Sequence, residues 1–170
     1  FGVGAQAPQP MHRIGFLGMA SAAESRNWVD AFRAGLRELG YVEGQNIEID
    51  YRFASGAYDR LPDLAAELVQ QRVAVLVTHG TPGTRAAARA AAGLPVVMAI
   101  SSDAVANGLV AGLARPGGNV TGSTYLGPQL NAKRIELIRD LLPRATRVAV
   151  LFNAANPANA AVFEAVSQTA

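Results

Sequence analysis

The sequence contains no cysteine, which excludes disulfide staples, thiolate zinc sites and a cysteine nucleophile together. It has one lysine, Lys133, set inside a helical pattern, where a solvated or snorkelling side chain is expected rather than a Schiff base. Only two histidines occur, His12 before the first apolar run and His79 after the third, so they form no local metal pair. Charged residues are 16% of the 170, with Lys+Arg 15 against Asp+Glu 13. Residues 1–85 hold 8 basic and 9 acidic side chains, and residues 86–170 hold 7 and 4. Neither half has the basic excess of a nucleic-acid footprint, so no nucleic-acid partner is expected. No stretch approaches the roughly 18 uninterrupted apolar residues of a membrane span. There is no G-x-G-x-x-G after the first apolar run, no P-loop within Val73–Thr84 and no G-x-S-x-G elbow. Thr78 stands where a phosphoacceptor domain needs an aspartate. These absences point away from nucleotide cofactors, metals and covalent catalysis.

Half of the residues are apolar, the balance of a folded core, and the length fits one domain or a little more. Short apolar runs alternate with helical patterns. Ile14–Gly18 is a strand candidate. Ser25–Leu39 places Trp28, Phe32, Leu36 and Leu39 at helical spacing, with Gly40 as its stop. Ile47–Phe53 alternates as a half-buried edge strand does. Asp59–Gln71 is helical, Val73–Val77 a buried strand, and Thr81–Ala92 a helix with Thr81 as N-cap and Pro82 at its first position. Pro95–Ile100 is a strand, Ala104–Leu113 a helix, and Asn119–Tyr125 a fifth strand. Leu130–Leu142 is a helix with Ile135, Ile138 and Leu142 on its buried face, Val148–Phe152 a sixth strand, and a last helix starts at Pro157. Parallel strands need crossovers, so the fold class is α/β, a doubly wound parallel sheet with natural strand order 2-1-3-4-5.

In such a sheet, ligands collect beyond the carboxyl ends of the strands, at the switch in strand order. Three loops belong there: Gly18–Ser25, Thr78–Thr84 and Ser101–Asp103. They are rich in hydroxyls and poor in charge, with Glu24 and Asp103 their only acids. Hydroxyls and free N–H groups at helix starts favour a carboxylate, and Asp103 could accept from an ammonium. A small zwitterion or polar solute fits, with Ser21, Thr78, Thr81, Thr84, Ser102 and Asp103 as candidate contacts and no catalytic or metal-binding residue. Taken singly, each is a plain helix cap; the grouping on one rim carries the binding reading. Two rivals stand beside it: a small α/β enzyme using His79 and Asp103, and the ligand-sensing domain of a regulator.

The chain begins at Phe1, and Phe1–Ala7 followed by Pro8-Gln9-Pro10 reads as the tail of a secretory signal peptide, or as a leader without meaning. Residues 1–11 are assigned to that leader.

Several segments read together resemble the substrate-binding proteins of bacterial ABC transporters, of the type that includes TrpX-like aromatic amino-acid binders. They are Ile14-Gly15-Phe16-Leu17, Phe32–Leu36 running to Gly40–Asn46, Tyr58–Pro62, Gly80-Thr81-Pro82, Arg115–Gly122, Ala132-Lys133-Arg134 and Asn153–Pro157. The resemblance implies a periplasmic-binding-protein-like (type I) architecture, with two lobes closing on a solute. Residues 12–122 would form the first lobe. Residues 123–170 would form the hinge crossing and the start of a second lobe, with Gly122–Leu126 as the crossing. It implies that Asn153 opens the opposite wall of the cleft, that the protein is exported to the periplasm, and that its partners are a small solute, an amino acid by this likeness, and a membrane permease. No cofactor is implied. Ala104 and Gly83 depart from the family habit of proline and alanine at those places, which bears on the ligand more than on the fold. A second lobe begun but not finished would leave Val148–Phe152 as a bare apolar edge, with self-association or disorder beyond Tyr125 as the consequence.

Overall fold

The computed structural model describes residues 11–169; most of the expected leader, 1–11, lies outside them. Five strands form one sheet: β1 (His12–Gly18), β2 (Ile47–Phe53), β3 (Val75–Thr78), β4 (Val96–Ser102) and β5 (Val120–Tyr125). All neighbours pair in parallel, in the order β2-β1-β3-β4-β5. The helices are α1 (Arg26–Glu38), α2 (Leu61–Gln70), α3 (Thr81–Ala90), α4 (Gly127–Leu141) and α5 (Asn159–Thr169). The fold class and strand order match the sequence reading. No helix among the described residues is long and apolar enough to cross a membrane.

Alternating side chains of each strand serve opposite faces. Leu17, Leu76, Val96 and Met98 meet Leu61, Leu64 and Leu68 of α2 and Ala86 and Ala87 of α3. Phe16, Ile47, Ile49 and Val77 face the other way, onto Val29, Phe32 and Leu36 of α1. Trp28 is therefore not part of the buried ridge that its spacing suggested. The first turn of α1 reaches the top of the sheet, so Trp28 stands outside while Val29 goes in.

Two expected elements are absent. Ala104–Leu113 is a chain of turns, not a helix. Asp103 takes φ 28° and Gly108 φ 66°, and Asn107 Nδ2 donates to the Ser102 and Asp103 carbonyls at 2.8 and 3.0 Å, so the single turn closes on itself. Val148–Phe152 is not a strand either. A strand exists through its ladder, and none runs beside these residues among those described; Leu151 is wholly exposed. Helices α4 and α5 occupy the stretch beyond Tyr125 and pack on each other, with Phe152 and Phe163 rings 5.2 Å apart. On α4 the buried face narrows to Ile135, and Leu142 is exposed.

Gly122 shows why the pairing of β4 with β5 needs glycine. It lies opposite Met98 at φ 135°, and a Cβ there would strike the Met98 carbonyl. Asn119 secures the same edge, its Nδ2 donating to the carbonyls of Ala91 and Leu94 at 2.8 Å each.

Candidate functional site

Because the strands are parallel, their carboxyl ends form one rim, and main-chain bonds tie its loops together. Ala54 N–H donates to Gly18 O at 2.9 Å and Gly56 N–H to Met19 O at 2.8 Å, joining the ends of β1 and β2. Met19 N–H donates to His79 Nε2 at 3.4 Å, joining β1 to β3. Gly80 N–H donates to Ile100 O at 2.7 Å, and the hydroxyls of Thr81 and Ser101 lie 3.0 Å apart, joining β3 to β4. Asp103 N–H donates to Tyr125 O at 2.7 Å, completing the row. The loops Gly18–Ser25, Thr78–Thr84 and Ser101–Asp103 are thus physical neighbours.

Ser21 closes a reciprocally bonded turn with Glu24. Its N–H and hydroxyl both meet Glu24 Oε2, at 2.9 and 2.5 Å, and Glu24 N–H returns to Ser21 Oγ at 3.3 Å. The Ser21 hydroxyl and N–H together hold the Glu24 carboxyl below its ordinary pKa. Ser25, at the N-cap of α1, is buried with no partner for its hydroxyl.

The three threonines are buried and turned inward. Thr78 donates to Leu17 O at 2.9 Å, locking β3 to β1, and Thr84 donates to Gly80 O at 2.8 Å. The cap of α3 falls one residue earlier than its sequence suggested: Gly80 at φ 69° is the N-cap, and Thr81 and Pro82 are the first two helical residues. Gly80 takes that conformation where its N–H turns to Ile100 O.

Ser102 and Asp103 are also buried. Ser102 Oγ lies against Gly127 at the start of α4, where a Cβ would come within 2.5 Å of it. Asp103 Oδ1 accepts the Ala106 N–H at 3.0 Å. Asn153 is exposed; its Nδ2 donates to Tyr58 Oη at 3.4 Å, and its Oδ1 accepts the Ala155 N–H at 2.9 Å. Asn153 therefore reaches back to the turn that follows β2.

Three residues at the rim are not marked by the sequence patterns. Tyr58 meets Asn153, Thr124 accepts the Ala104 N–H at 2.9 Å, and Met19 is bonded to two other loops. The pair Gly80 and Gly83 around a Thr-Pro marks a close approach to the start of α3, but not which residue makes it. His79 stands edge-on to Trp28, ring centroids 5.4 Å apart, and burial pushes its pKa below the ordinary 6.5. A neutral imidazole accepting at Nε2 leaves Nδ1 to carry the proton. Nε2 meets Met19 and Asp103 Oδ1 meets Ala106, so among the described residues the two form no acid–base pair with each other. Below Trp28 and His79 an apolar hollow of about 430 Å³ is lined by Phe16, Phe32, Val77, Ala99 and Ile100. Among the described residues no three His, Asp or Glu side chains stand together as metal ligands would.

A family model described as ABC transporter substrate binding protein matches residues 17–170. The chain belongs to that family. The family is that of solute-binding proteins, which are not enzymes. A tyrosine-binding protein of Clostridioides difficile is 34% identical over 123 residues, which are 72% of this chain and 35% of that protein. A conserved domain protein of Vibrio cholerae superposes with TM-score 0.82 at 28% identity, over 94% of this chain and 53% of the other. A Streptococcus pneumoniae protein solved in complex with L-Trp gives TM-score 0.80 at 28% identity, with the same coverage. The chain thus spans about half the length of these solved relatives and about a third of the curated one.

Proposed function

We propose that this chain binds an amino acid at the rim, between the strand ends of residues 12–122 and an opposing lobe begun by residues 123–170, and serves an ABC importer. The observation that carries the reading is the row of bonded loops. Met19 to His79, Gly80 to Ile100 and Thr81 to Ser101 set three polar, nearly uncharged segments side by side. The relatives named for tyrosine and solved with L-Trp support an amino acid as the solute.

In this reading Thr78, Thr81 and Thr84 fix the shape of the wall, their hydroxyls being engaged within it. Ser21, Ser102, Asp103 and Asn153 are the side chains that meet the solute. Asp103 receives the ammonium, and hydroxyls and N–H groups receive the carboxylate. The mechanism is closure of the lobes about Gly122–Leu126, with the closed form presented to a permease. No bond is made or broken. The protein works outside the cytoplasm, with residues 1–11 as the remnant of its export signal. The exposed apolar side chains of Val148, Val150 and Leu151 give this chain a tendency to self-associate, which sedimentation against concentration measures.

Thermal melting against a panel of amino acids tests the reading. A solute at one hundred times its dissociation constant adds about 2.7 kcal/mol of stability. Tyrosine or tryptophan is expected to raise the melting temperature; a panel that leaves it unmoved overturns the amino-acid reading.

A further inference from the structure

We infer that Met19 is the specificity-determining residue of the rim, the side chain that sets how large a solute is accepted; this rests on the amino-acid reading above. Through its backbone Met19 is bonded to two other loops of the rim. Its carbonyl receives Gly56 N–H from the turn after β2, and its N–H meets His79 after β3. Its thioether lies over the first turn of α3, where both neighbouring side chains are missing. A Cβ on Gly80 would come within 2.9 Å of Met19 Sδ, and one on Gly83 within 3.4 Å of Met19 Cγ. The two glycines thus make a seat for a methionine.

That seat is the place where the loops after β1 and β3 converge. Met19 is half-buried there, so part of its side chain is open at the convergence. Methionine is unbranched and rotates about three bonds, so it fills the seat when the site is empty and yields by degrees when a side chain enters. The wall beneath is fixed, because Thr78 and Thr84 are bonded to backbone and Gly83 is packed against Thr78 Oγ1. Among the groups at this convergence, Met19 is the adjustable one. Its side chain therefore sets the volume left for the solute.

The test measures the affinity of the whole chain for L-alanine, L-leucine, L-phenylalanine, L-tyrosine and L-tryptophan by calorimetry, in the parent and in Met19→Ala, Met19→Leu and Met19→Phe. One to a few methylene groups in an apolar pocket change discrimination by roughly ten- to a hundredfold. Met19→Ala is expected to shift the ratio of affinities toward tryptophan by about tenfold, and Met19→Phe to shift it toward the small members, in line with that range. Met19→Leu, near in volume, keeps the parent's order and shows by its melting curve that the rim still folds. A variant that weakens every solute by one common factor, or leaves all ratios unchanged, overturns the assignment while leaving the amino-acid reading intact. Absence of binding by the parent to all five overturns both.

Discussion

On the α2–α3 side of the sheet, Leu17, Leu61, Leu68, Leu76 and Val96 are buried to within 1% of full enclosure, whereas on the α1 side Trp28 is 59% exposed and Ile100 50%. The two sides are made from alternating residues of the same strands: Leu76 goes one way and Val77 the other, Met98 one way and Val97 the other. The difference lies in what covers them. Two helices and the turns after β4 cover the first side, while α1 alone covers the second among the described residues. Stability is therefore concentrated beneath α2 and α3. The same side carries Thr78, Gly83 and Met19, so the floor of the rim rests on the better-packed half.

The comparison breaks if the two sides respond alike to truncation. Leu76→Ala is expected to cost about 2–5 kcal/mol, the usual range for a cavity in a closed core, read from urea unfolding. Asn119→Ala removes two bonds from α3-side carbonyls and is expected to cost about 1–3 kcal/mol by the same measurement. Ser21→Ala, in the exposed turn before α1, removes its side-chain bond to Glu24 and should cost about 1 kcal/mol. Ile100→Ala, on the open face, should stay within about 0.5 kcal/mol. An Ile100→Ala cost equal to that of Leu76→Ala would show that the α1 side is closed in solution.

The smallest effect is a pH dependence at His79. Burial lowers its pKa in the folded state, so the unfolded chain takes up the proton first as pH falls through 6.5. The contribution is fully present above that value and is lost between it and the lowered folded pKa. His79→Leu should flatten this part of the stability profile relative to the parent, as urea midpoints at pH 7.5 and 5.5 would show. An unchanged slope contradicts the burial of a neutral imidazole.

Much of the fold was legible because period-2 and period-3.6 patterns reflect burial on one side: of six strands and six helices read from them, five of each stand. The helix proposed at Ala104–Leu113 failed for a local reason: Asp103, Asn107 and Gly108 form a closed turn whose side-chain bonds outcompete helical ones. The strand proposed at Val148–Phe152 failed for a non-local one, since an apolar run shows only that a strand is possible and not that a partner lies beside it. At the rim, the sequence located the loops through strand order and hydroxyl content, but not which hydroxyls face inward. Thr78 and Thr84 bond to carbonyls at Leu17 and Gly80 that only the folded chain brings within reach. Met19 was illegible for the opposite reason. Methionine beside a strand end reads as core, and its seat on two glycines sixty residues away appears only when β1 and β3 are adjacent.

Amide chemical-shift mapping of the whole chain during titration with L-tyrosine or L-tryptophan tests the central claim most directly. The account requires saturable shifts that concentrate in Gly18–Ser25, Thr78–Thr84 and Ser101–Asp103. Shifts confined to the other end of the strands, or none up to millimolar solute, would contradict it.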